Sequence, residues 1–204
     1  MAERDRQFAV FVNCPFDKGF RPILDGIVFA VRFCGYTVRS ALEAQDSGEL
    51  RLTKITRLLA ESRLSIHDIS RVELDADSGL PRFNMPIELG IALGMKHLGR
   101  QRLRDHQLLV LDSERYRSQR FASDLAGVDI AAHRGMVAGA ITAVRDFLAA
   151  ADAGHLPGGD AVAEAYTTFV AALPEIVAGQ RQTLDGLTFP EQLRHIDTFL
   201  GLVR

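Results

Sequence analysis

Phe8–Val12 reads FAVFV, an unbroken apolar run whose length suits a strand covered on both faces. It stops at Asn13-Cys14-Pro15-Phe16-Asp17, a stretch of turn formers. From Arg21 to Phe33, Ile23, Leu24, Ile27, Val28 and Val31 recur at helical spacing, and Gly35 is placed to close that helix. Tyr36–Ser40 predicts a second strand. Leu50–Ser62 predicts an amphipathic helix with Leu52, Ile55, Leu58 and Leu59 on one face. Leu64–Ile66 predicts a third strand, running into His67-Asp68-Ile69-Ser70. After a polar loop from Arg71 to Asn84 come a helix over Pro86–His97, a strand over Leu108–Leu111, a short strand over Val128–Ala132 and a helix over Val137–Ala151. Strand and helix alternate, which predicts an α/β fold: a doubly wound parallel sheet of about five strands with right-handed crossovers.

Gly154-His155-Leu156-Pro157-Gly158-Gly159 breaks the alternation. The chain is therefore divided into an α/β domain over 1–153 and a C-terminal helical pair over 160–204, with helices at Ala161–Gly179 and Pro190–Leu202. Pro174 is expected to kink or divide the first of these. Val162, Phe169, Val170, Leu173 and Ile176 give the pair an apolar face too large to stay exposed. It covers the sheet domain or a second copy, and a homo-oligomer is expected on the latter choice.

Composition narrows the function classes. With 204 residues, 47% of them hydrophobic, the chain needs no metal or disulfide staple to bury a core. A formal charge of −2 lacks the footprint of a nucleic-acid binder. Cys14 and Cys34 form neither a zinc pattern nor a CxxC pair, which points to a reducing cytoplasm. The N-terminus lacks the long apolar stretch of a signal peptide, and no run of 18 uninterrupted apolar residues occurs, so no membrane span is expected. The histidines form no HxxxH or HxxH pair, so no metal is expected. GxGxxG, Walker and GxSxG motifs are missing, which counts against dinucleotide dehydrogenases, P-loop NTPases and α/β-hydrolases.

In an open parallel sheet, ligands bind outside the carboxyl ends of the strands. Three loops meet there: Asn13–Asp17, His67–Asn84 and Asp112–Arg120. Asn84 or Met85 is expected to cap the helix that follows, with Pro86 and Glu88 in its first turn, where the dipole favours a carboxylate. A held, ionised carboxylate is what a sugar's anomeric carbon requires of a nucleophile. Alternatively, Glu88 is only a dipole-compatible surface acid. Gly90 and Gly94, a turn apart, would let a backbone or ligand come close. Asp68 is either a second carboxylate in the crevice or an Asx-turn residue. Asn13 and Phe16 are placed to bond and stack a base, or to form a tight turn. Asp112 would line the same crevice. Arg115, Arg117 and Arg120, like Lys96, Arg100, Arg102 and Arg104, either hold phosphates or form a solvated face. Nothing adjacent to Cys14 would activate its thiol.

These residues carry a resemblance. The strand followed by Asn13-Cys14-Pro15-Phe16-Asp17, the strand Ser65-Ile66-His67-Asp68-Ile69-Ser70 and the segment Pro86-Ile87-Glu88-Leu89-Gly90-Ile91-Ala92 resemble nucleoside 2-deoxyribosyltransferase-like proteins. Asp46-Ser47-Gly48-Glu49-Leu50 and Glu61-Ser62-Arg63-Leu64-Ser65-Ile66 are similar to the Toll/interleukin-1 receptor (TIR) domain, whose enzymatic members cleave the nicotinamide bond of NAD. Both resemblances imply a flavodoxin-like topology and a reaction at an N-glycosidic bond. They imply Glu88 as nucleophile and Asp68 as supporting carboxylate. Asn13, Pro15, Phe16, Asn84 and Met85 would shape the substrate pocket, and Asp112 would stand in the same crevice. The implied partner is a small nucleoside or nucleotide, with NAD possible as substrate and no protein-bound cofactor. A nucleotide-sensing or self-assembling module without turnover is the alternative.

Overall fold

A computed structural model describes residues 3–43, 46–74, 79–152 and 154–202. After a short helix α1 (Glu3–Gln7), strands β1 (Ala9–Asn13), β2 (Thr37–Arg39), β3 (Leu64–Asp68), β4 (Gln107–Asp112) and β5 (Ile130–Ala132) form one sheet. All pairings are parallel and the order is β2-β1-β3-β4-β5, the flavodoxin-like arrangement. Helices α2 (Arg21–Phe33) and α6 (Val137–Ala151) cover one face, and α3 (Arg51–Glu61) and α4 (Asn84–Leu98) the other. A one-turn helix α5 (Gln101–Arg104) leads into β4.

Strand alternation divides the core. Val10, Val12, Leu64 and Ile66 join the cluster under α2 and α6. Phe11 packs with Ile55, Leu58, Leu59 and Ala92 under α3 and α4. The exception is β3, whose inward Ser65 and His67 are fully buried polar side chains. Burial without partners would cost each of them several kcal/mol, on the order of 1–3. They form a hydrogen-bonded line instead: His67 Nε2 to Ser65 Oγ at 3.0 Å, Ser65 Oγ to His106 Nε2 at 2.7 Å, and His106 Nδ1 to the Ser62 carbonyl at 3.0 Å.

Eight residues of α2, from Ile23 to Val31, are buried. A helix apolar on nearly every side must be covered on every side. The last two helices, α7 (Gly159–Gly179) and α8 (Phe189–Phe199), complete that cover. Phe29 stacks on Phe169 with centroids 5.4 Å apart, and Tyr166 and Phe199 meet it edge-on or tilted. Arg32 pairs with Asp197 at 2.6 Å, and Gln192 bridges Arg21 and Asp25. The helical pair thus shares the core of the sheet domain, and its apolar face no longer calls for a second copy. Val170 alone of the large apolar residues on α7 is exposed, at 46%. By length and composition α7 could cross a membrane, yet Val162, Phe169 and Val177 are locked into this core.

Several boundaries differ from expectation. β1 starts one residue later and takes in Asn13, leaving Phe8 exposed. β3 continues through His67 and Asp68, because β4 supplies ladder partners to both and β1 to His67. Pro174 neither ends nor divides α7, which runs through it on the solvent side. Asn84 and Met85 do not cap α4. Phe83 does, so Glu88 falls in the second turn, beyond the unpaired amides. Positions 75–78 of the polar loop lie outside the described residues.

Glycine roles also redistribute. At Gly26 a Cβ would stand 2.5 Å from Val137 Cγ1, so this is the closest approach of α2 to α6, whereas Gly90 and Gly94 have nothing within 4 Å of that position. The expectation of close approach at Gly90 and Gly94 is therefore corrected. Helical glycine to alanine normally stabilises. We expect Gly90→Ala to raise stability by about 0.5–1 kcal/mol and Gly26→Ala to lower it by about 1–3 kcal/mol through overpacking. Urea midpoints of the two variants check this; equal signs would contradict the packing described.

Candidate functional site

In the 2-1-3-4-5 order the strand order reverses between β1 and β3, and a crevice opens at their carboxyl ends. Asn13, the last residue of β1, is in register with His67. Its side-chain Nδ2 lies 3.3 Å from His67 Nδ1, on the α3/α4 face.

Glu88 meets the crevice from α4. It is 2% exposed. Its Oε1 accepts from Arg51 Nε at 3.1 Å, while the buried Oε2 makes no hydrogen bond. Arg51 opens α3 and lays its guanidinium 5.8 Å over the Phe16 ring. Phe16 therefore orients the cation that holds Glu88. Burial raises the Glu88 pKa, with Arg51 first and the neighbouring Asn13 side chain second in opposing the rise. The expected helix-dipole effect has the opposite sign, and placement in the second turn explains its failure.

Asp68 stands at the same edge but points to the other face, by its alternation with Ile66. Its Oδ1 accepts from the backbone N–H and hydroxyl of Ser70, at 2.9 and 2.6 Å. This is an Asx turn, and it leaves Oδ2 free. His133, just past β5, brings Nε2 to 3.2 Å from that oxygen, misaligned for a full hydrogen bond. His133 Nδ1 accepts from the Gly135 N–H at 3.0 Å, so the ring proton resides on Nε2 and faces Asp68. Phe20 touches the ring edge-on, at 6.2 Å between centroids. Cys14 is buried beside Asp68, and burial first, then that carboxylate, pushes its thiol pKa well up; it is inert.

Asp112 ends β4. Its Oδ1 accepts from Ser113 N and from Arg117 at 2.6 and 2.7 Å, and Arg117 also binds Glu73. Burial raises the Asp112 pKa against these partners. Arg117 is thus a structural tie, not a phosphate ligand. Pro15 is buried in the β1 loop and Phe16 half-buried. Asn84 is exposed at the start of α4, and Met85 packs among Ile69, Leu89 and Val110, so neither shapes the crevice around Glu88. A cavity of about 940 Å³ lies instead along the β5 edge, between Tyr116, Arg134, Met136 and Thr142, and shares only His133 with the residues above.

No family model matches this chain, and neither the curated proteins nor the solved structures give a match.

The geometry itself is informative. Buried side-chain polar atoms are nearly always partnered. Among the described residues six buried side-chain atoms lack a hydrogen bond: Arg6 Nε and Ser62 Oγ lie elsewhere, and the other four, Glu88 Oε2, Asp68 Oδ2, Asp112 Oδ2 and His133 Nε2, stand at the carboxyl edge of the sheet. The sequence reading assigned Glu88, Asp68, Asn13 and Asp112 to this edge, and the structure places all four there. Arg51 and His133 were missed. Neither belongs to a motif, and no signal in the sequence pointed to them.

Two stability measurements test these environments. Burial pushes the His67 pKa down to about 3 and that of His106 to about 4. Both bind protons less well folded than unfolded, so stability is full above the unfolded value of 6.5 and falls as pH drops below it. Between pH 7 and pH 5 each should cost about 2 kcal/mol, and His106→Gln should remove about half of the slope. Glu88 has the reverse sign: its raised folded pKa makes the carboxylate a cost at neutral pH. Glu88→Gln should leave stability at pH 7 equal to wild type or up to about 1 kcal/mol higher. A clear loss of stability would show Glu88 to be a structural ion pair.

Proposed function

We propose that this chain cleaves or transfers across an N-glycosidic bond of a nucleoside, nucleotide or NAD-like compound, with Glu88 as the carboxylate that meets the sugar's anomeric carbon. One observation carries this reading. Glu88 is buried at the switch point with one oxygen fixed by Arg51, the Asn13 amide beside the carboxylate, and Oε2 without a full hydrogen bond. A fixed anion beside an open coordination position stabilises an oxocarbenium-like centre, or bonds to it, without reorganisation. The C–N electrons leave with the base. Water or an acceptor base then takes the sugar and frees the carboxylate. Solvent water supplies the proton to a base that departs as an anion.

A non-catalytic nucleotide sensor is the second reading. It is favoured by Glu88 and Asp68 having separate partners on opposite faces of the sheet. Incubation of the full chain with NAD and a panel of nucleosides, followed by chromatography of released base, separates the two. We expect base release by the wild type and a loss of at least about 100-fold in Glu88→Gln, without loss of fold. The acid limb of activity should lie above the 4.5 of an ordinary glutamate, and Arg51→Met should move it higher still, since Arg51 favours the charged form. Ligand-induced stabilisation with no product would establish the sensor.

A further inference from the structure

We propose that His106, Ser65 and His67 form a directed hydrogen-bond relay that sets the orientation of the Asn13 amide against Glu88. The direction follows from the chemistry of one end. The Ser62 carbonyl can only accept, so His106 Nδ1, 3.0 Å away, carries a proton. In the neutral ring, His106 Nε2 is then an acceptor, and the Ser65 hydroxyl 2.7 Å away donates to it. With its proton so committed, Ser65 Oγ accepts from His67 Nε2 at 3.0 Å. That leaves His67 Nδ1 as an acceptor, and the group 3.3 Å from it must be the Asn13 NH2. The amide nitrogen is therefore the end held between His67 and the Glu88 carboxylate, and the Asn13 side chain does favour the charged form of Glu88. What the amide has left for a ligand is its Oδ1, an acceptor.

All four side chains are at most 4% exposed, so water does not compete for these bonds. Cations guard the neutral state of the far end. Arg6 of α1 reaches the Arg102 carbonyl beside His106, and Lys96 of α4 donates to the His106 carbonyl. Burial first, then Arg6 and Lys96, hold the His106 pKa down to about 4, against the Ser62 carbonyl, which raises it. A second proton on His106 would leave its bond to Ser62 as it is but reverse every bond beyond it, and ask Asn13 to present Oδ1 instead. The relay residues touch no substrate; they are positioning residues. Their bearing on turnover rests on the reading of Glu88 given above, but their state is measurable without it.

Long-range 1H–15N spectra of the histidine rings in the full chain test the relay. We expect opposite neutral tautomers, His106 as Nδ1–H and His67 as Nε2–H, both persisting at pH 5. The same tautomer at both rings, or a doubly protonated ring at pH 5, would overturn it. In Ser65→Ala we expect His67 to lose its single tautomer, the Asn13 NH2 resonances to shift, and the carboxyl 13C titration of Glu88 to move up by about half a pH unit. A folded Ser65→Ala with all three signals unchanged would also overturn it; should that variant not fold, the wild-type tautomers decide. If Glu88→Gln keeps full activity while the tautomers are as expected, the catalytic reading fails and the relay stands. The reverse pattern removes the relay and leaves the catalytic reading.

Discussion

Glu88 and Arg51 meet where a buried carboxylate has little else to neutralise it, and the functional reading depends on that contact. The carboxylate is 2% exposed and the guanidinium about half exposed. The pair therefore bridges core and solvent: the acid is desolvated, the cation is not. Removing the cation would leave an uncompensated buried charge, a much larger penalty than any surface ion pair supplies. Phe16 fixes the cation and Asn13 faces the acid, so the β1 loop and the first turn of α3 are both committed to one carboxylate.

That commitment follows from the architecture. A parallel sheet covered on both faces has no room for polar side chains within its strands, so they collect at strand ends. β3 breaks this rule with Ser65 and His67, and satisfies them internally through His106. The cost of placing two neutral imidazoles in the core is offset by a complete set of hydrogen bonds. Of the six buried atoms left unsatisfied among the described residues, four mark the carboxyl edge, where the topology also places the crevice.

Much of this was legible in the sequence. The apolar FAVFV run, the helical spacing of Ile23 to Val31 and the strand–helix alternation required the parallel sheet, because each pattern reports burial directly. Glu88, Asp68, Asn13 and Asp112 were legible because they follow or face strand ends. What escaped notice depends on tertiary neighbours. Arg51 reads as an ordinary surface residue until α3 is docked beside α4. His133 follows a strand of only three residues, too short to set a period. The four-residue and five-residue helices α5 and α1 are shorter than any periodicity can detect. Met85 was assigned to the pocket, but it shares a helix face with Leu89, four positions on, and packs into the core with Leu89, Ile69 and Val110.

The two carboxylates impose a condition on any ligand. Glu88 works from the α3/α4 face with Arg51 and Asn13, and Asp68 from the α2/α6 face with His133. They are linked through adjacent backbone: Asn13 pairs with His67, and Asp68 is the next residue. A compound touching both must lie across the end of β3, with one part toward each face; the nucleoside class proposed above has two such parts joined by a single bond. On the reading proposed above, the carboxylate held by one fixed cation is the group that would meet the anomeric carbon, and Asp68 with His133 would face the other end of the compound.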